Sequence, residues 1–187
     1  EVSQCPSCAE GALLDRAYTL AAAGDVDALM AEVVRQSFEV SESQIATSSS
    51  NPQGRNPADF PSALALSATR DKAIPQLHEA LYDSHWAVRA TAADVLGDIG
   101  HGVHEVKGRM TQLLSDSQPW VRRNAAEAIA HIGFADGEFV GEVCGALSDD
   151  DHRVRRNAAY AWIANPQSSD EAVDALSTTL ADDDRYV

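Results

Sequence analysis

The residues able to do chemistry are few and scattered. Cys5 and Cys8 form one C-P-S-C pair, and Cys144 stands alone far from it. A closed zinc site needs four ligands, so a single pair does not make one. The pair allows a disulfide in an exported protein or two thiols in a reducing compartment, with a lean toward export. His101-Gly102-Val103-His104-Glu105, with Asp98 nearby, could supply two imidazoles and one or two carboxylates to zinc. It reads better as a polar loop that starts a helix, and no metal is expected. Asp149-Asp150-Asp151 and Asp182-Asp183-Asp184 offer oxygens of the kind calcium takes, but lack the glycine and distal glutamate of a calcium loop. Helix caps and solvated charge account for them better. Cys144 has no histidine beside it in sequence to activate it, and there is no Gly-rich phosphate loop or G-x-S-x-G. No catalytic residue and no cofactor are expected.

The elements that carry these residues follow from composition and periodicity. The chain has 187 residues, 44% of them hydrophobic, with 29 acids against 14 Lys and Arg and a formal net charge of −15. Such a surface repels phosphate backbones and anionic membranes, and no run of 18 apolar residues occurs to enter a bilayer. The acid excess with only Lys72 and Lys107 as lysines suits a well-solvated surface in salty surroundings. Low aromatic content and abundant alanine point to close helix packing.

Self-comparison supplies the architecture. Val88-Arg89, Val121-Arg122 and Val154-Arg155 recur every 33 residues. Leu81, Leu114, Leu147 and Leu180 keep that period, as do Asp83, Asp116, Asp149 and Asp182, and the pairs Ala92-Ala93, Ala125-Ala126 and Ala158-Ala159. Each unit reads as two helices joined by an Asp-rich turn. Pro119 suits a first helical turn, Asp151 and Asp184 suit N-caps, and Gly100, Gly133 and Pro166 suit helix ends. Residues 1–40 read as an N-terminal helical hairpin, with Leu13, Ala17, Leu20 and Ala21 on one stripe, Val26, Leu29, Met30, Val33 and Val34 on the other, and Asp25 capping the second helix. Residues 41–60 read as a polar linker or loop. Residues 61–187 read as the repeat region, opening with a short helix over Pro61–Thr69 and ending in an incomplete repeat. A repeat array that stops there exposes an apolar face, so the chain is expected to continue past Val187 or to be covered by another subunit.

The pattern Leu-x-Asp-x-x-x-x-Val-Arg-x-x-Ala-Ala, as in Leu81-Tyr82-Asp83, Val88-Arg89 and Ala92-Ala93, resembles the HEAT-like repeats, of the short type also found in phycobilin lyases. The resemblance implies an all-α fold, a right-handed α-solenoid of helical hairpins. It also implies that Asp83, Asp116, Asp149 and Asp182 pair with Arg89, Arg122 and Arg155 to link neighbouring repeats. Deoxyhypusine hydroxylase has similar repeats, with His-Glu pairs holding di-iron. The matching positions here are Ala90-Thr91, Arg123-Asn124 and Arg156-Asn157, which exclude that activity.

By the same resemblance the second helices line a concave face. Their projection gives a strip of Asp94, Asp98, Arg123, Glu127, His131, Arg156 and Tyr160, suited to a protein partner. A second set at the turns, Trp86, Trp120, Arg153 and Tyr186, reads either as an aromatic binding rim or as rings packed between repeats. The function expected is a non-catalytic interaction scaffold or a subunit of a larger assembly. The alternatives are a lyase or chaperone handling a bilin, as the resemblance allows, and the accessory repeat region of a longer secreted enzyme.

Overall fold

The computed structural model describes residues 6–39, 56, 59–100, 106–134, 139–166, 169–184 and 187, with only the backbone at 6–10 and 39. The described residues form helices and turns without strands. They belong to two compact units, residues 1–95 and 96–187.

In the first unit, α1 (Pro6–Ala23) and α2 (Val26–Glu39) form a hairpin. The break at Gly24 needs a positive φ, +71°, and Asp25 Oδ1 then accepts the Ala28 N–H at 3.1 Å. α3 (Pro61–Thr69) packs on both helices. Leu29, Val33, Ala63 and Leu66 are buried at this contact's level of the core, whereas Leu13, expected on the inner stripe of α1, is 37% exposed. Ala17, expected on the same stripe, is buried. A polar pair lies inside the same unit, where the Ser62 hydroxyl donates to Gln36 Oε1. A 3₁₀ turn, Arg70–Ala73, leads into α4 (Ile74–Ala80), and α5 (Trp86–Ile99) runs across the division between the units.

The second unit stacks two complete hairpins and a further first helix. α6 (Lys107–Leu113) pairs with α7 (Pro119–Ile132), α8 (Val140–Ala146) pairs with α9 (His152–Ala164), and α10 (Asp170–Thr179) packs beside α8. α7 and α9 lie against one another along their alanine-rich faces. Ala125, Ala126, Ala128, Ala158 and Ala161 are buried. Small side chains let helix backbones come close. A Cβ built on Gly97 would stand 2.7 Å from the Ala128 Cα, so only glycine fits. The helix ends are fixed chemically. Gly133 closes α7 at φ +77°, Asp151 Oδ1 accepts the Arg153 N–H at 2.8 Å, and Ser169 caps α10 through the Ala172 N–H at 2.9 Å. Asn165 Nδ2 donates to the carbonyls of Ala130 and Ala161, both at 3.1 Å, tying the end of α9 to the end of α7.

Candidate functional site

The Asp-rich turns share one geometry. In each, the aspartate Oδ1 accepts the N–H two residues on: His85 to Asp83, Gln118 to Asp116, Asp151 to Asp149 and Asp184 to Asp182, at 2.7–2.9 Å. The Val-Arg arginine then reaches back to its own turn. Nη1 of Arg89, Arg122 and Arg155 donates to the carbonyls of Asp83, Asp116 and Asp149 at 2.8–2.9 Å.

The same guanidinium also reaches forward. Arg122 Nε and Nη2 donate to Asp149 Oδ2 and Oδ1 at 2.7 and 2.9 Å, and Arg155 grips Asp182 in the same way at 2.6 and 2.9 Å. A planar fork is required for this, so lysine could not replace arginine here. The two-pronged hydrogen bond from Arg155 holds the Asp182 carboxyl down at about 2. At Asp151, burial would raise the pKa, but the bonds from Arg153 outweigh it and the carboxyl lies below its ordinary range. Arg122 and Arg155 thus hold their own turn and the aspartate of the next, while Arg153 holds Asp151.

The strip lies beside this ladder. The Arg123 guanidinium rests 4.7 Å from the Trp120 ring centre and 3.9 Å from Glu127 Oε2. Arg153 lies 5.0 Å from the same ring while both its ends hold Asp151. Asn157 Nδ2 donates to the Arg123 carbonyl and to Glu127 Oε2, both at 3.1 Å. Arg156 donates to Asp184, whose carboxylate also lies 3.8 Å from His152. Tyr160, 49% exposed, stands edge-on to the exposed His131 ring at 6.4 Å. Asp98 is exposed in this unit, and Asp94 belongs to the first, where it accepts from Asn56.

The turn-rim residues fall differently. Trp86 and Trp120 are 8% and 6% exposed, so these rings are buried and do not form an aromatic rim. The physical reason is that Trp120 is covered by arginines from its own helix and from α9. Tyr186 lies outside the described residues, as do His101, His104, Glu105 and Cys5, and the Cys8 side chain. The sequence names Asp184 as an N-cap and Asn157 only as a non-ligand, and does not foresee that Asp184 accepts from Arg156 or that Asn157 donates to Glu127. A polar residue one place after Arg123 and Arg156 was the available signal.

Two further groups bear on chemistry. Cys144 is buried on α8, and burial first, then Glu171, push its thiol above the ordinary range, the wrong direction for a nucleophile. A cleft of about 740 Å³ opens beside the ladder between Leu114 and Gly145, with Asp116, Glu142 and Asp150 at its walls and Arg122 committed to Asp149. Among the described residues no group of three His, Cys, Asp or Glu is placed to hold a metal, and no helix is long and apolar enough to cross a membrane.

No curated protein matches the chain. A family model described as HEAT repeats matches residues 106–187, the stretch that carries the paired helices, the alanine contact and the Arg–Asp ladder. This part of the chain is a region of HEAT-like repeats, an all-α solenoid of helical hairpins.

Proposed function

We propose that the protein is a non-catalytic interaction scaffold that holds a protein partner on the second-helix strip of residues 96–187. HEAT repeats commonly serve as interaction scaffolds, which supports the class. The observation that carries the reading is the state of the strip. Tyr160 and His131 stand exposed and edge-on between α9 and α7, and two turns back along α7 Arg123 lies over Trp120 and beside Glu127, which the Asn157 amide braces. Aromatic and arginine side chains held in place lose little entropy on binding and are the usual anchors of interfaces. The strip carries both signs of charge, so it suits a mixed polar and aromatic partner surface.

The combined substitution Arg123→Glu, Glu127→Arg and Tyr160→Ala should reduce partner capture at least tenfold, with the helical circular dichroism unchanged, since all three side chains are at least partly exposed. Undiminished capture by the folded triple variant contradicts the strip as the binding face.

A further inference from the structure

Two helical turns of the strip face one another inside the second unit. Glu127 and His131 stand one turn apart on α7, and Asn157 and Tyr160 stand one turn apart on α9. Two contacts join them: Asn157 Nδ2 donates to Glu127 Oε2 at 3.1 Å, and the His131 and Tyr160 rings meet edge-on at 6.4 Å. The opening between these turns does not depend on where the sequence stops. Tyr160 is the repeat equivalent of Glu127, which has α9 packed beyond it and still keeps 36% of its side chain exposed. Asp98 and His131 share the neighbouring column, each on a second helix that another follows, and both are exposed. These two columns face solvent in the interior of the array.

The charge left open here is negative. Asn157 occupies one carboxylate oxygen of Glu127, and among the described residues nothing donates to the other, Oε1. The strip's arginines do not take it. The Arg123 guanidinium lies over the Trp120 ring and its Nη2 stays 3.9 Å from Glu127 Oε2, while Arg156 donates to Asp184. The chain's net charge of −15 draws cations toward such an opening and repels a second copy of the same chain. A half-open carboxylate beside a half-exposed tyrosine ring matches a guanidinium, which donates within its plane and stacks by its face; an ammonium group has no such face.

We propose that this opening receives an arginine of the partner protein, its guanidinium donating to Glu127 Oε1 and lying against the Tyr160 ring. The proposal rests on the strip being the binding face and names the residue that anchors there. Asn157 is the positioning residue, since its amide fixes the Glu127 carboxylate.

The probe is the tripeptide acetyl-Gly-Arg-Gly-amide, titrated into the isotope-labelled full chain and followed by NMR. Saturable shifts are expected at the Asn157 side-chain amide and the Tyr160 N–H. Affinity should fall about fivefold or more with lysine in place of the peptide's arginine, and binding should be lost with citrulline, its uncharged isostere. Glu127→Gln should weaken the arginine peptide to a similar degree, whereas Glu142→Gln, at an exposed carboxylate on a first helix, should leave it unchanged. The proposal is overturned by the absence of saturable shifts at those two groups, by equal shifts with citrulline, by indifference to Glu127→Gln, or by acetyl-Gly-Glu-Gly-amide saturating the site instead. Absent shifts in a chain whose triple variant still loses partner capture remove the arginine and leave the strip; undiminished capture by the triple variant removes both.

Discussion

Replacing Asp149 with alanine is expected to lower the unfolding free energy by about 2–3 kcal/mol, measured by urea denaturation. The substitution removes both bonds from the Arg122 fork, at 2.7 and 2.9 Å, and the acceptor for the Asp151 N–H. The two side chains are only 15% and 10% exposed, so the orphaned guanidinium cannot fully rehydrate in place. Neighbouring hydrogen bonds still hold Arg122 to the Asp116 carbonyl, which keeps the loss below that of a deeply buried pair. Asp149→Asn should cost less, because an amide oxygen still accepts one bond. The sign with pH follows from Asp182, the equivalent carboxylate one repeat on. Its folded pKa of about 2 lies below the ordinary 3.8, so its contribution is present above that ordinary value and is lost as pH falls through the folded one. Asp151 is shifted in the same direction and adds to the same acid limb. Stability that stays level from pH 5 down to pH 2 would contradict the ladder.

Gly97→Ala and Gly145→Ala should have opposite signs. At Gly97 the new Cβ meets the Ala128 Cα at 2.7 Å and its Cβ at 2.9 Å. The neighbour is backbone, so a helix must move, and about 1–3 kcal/mol of destabilisation is expected. At Gly145, inside α8, nothing lies within 4 Å of the new methyl group. There the substitution removes unfolded-state freedom and should stabilise by about 0.5–1 kcal/mol. For a domain of this size these changes move the melting temperature by a few degrees in opposite directions. Equal effects at the two sites would mean that α5 and α7 do not approach as closely as this geometry requires.

The periodic columns of the sequence carry the second-helix starts and the glycine stops, because they depend on local chemistry repeated in register; the short helix at Pro61–Thr69 lies outside the columns and is read from its own residues. They equally single out the aspartates and arginines of the turns. They do not reveal that one guanidinium serves its own turn and the next at once, since equivalence between positions says nothing about distance. Trp120 illustrates the same gap. It stands in a column with Arg153, and either an exposed rim or a buried stack fits that spacing; only the arginines above its ring make it a buried one. Leu13 has the right period for the core and is exposed because α3 packs where sequence spacing alone cannot place it. The Gln36–Ser62 bond joins residues with no periodic signal at all. For the strip, helical projection places Arg123, Glu127, His131 and Tyr160 on one face, but says nothing of the Asn157 amide that reaches Glu127 or of the Trp120 ring under Arg123.

The most direct test of the scaffold reading is site-specific photo-crosslinking in the presence of whatever partner co-purifies with the native protein. A photoreactive residue at Tyr160, on the second-helix strip, should give a covalent adduct with that partner, and one at Gly145, on a first helix, should give none. Adducts from position 145 with none from position 160 would contradict the strip as the face that binds.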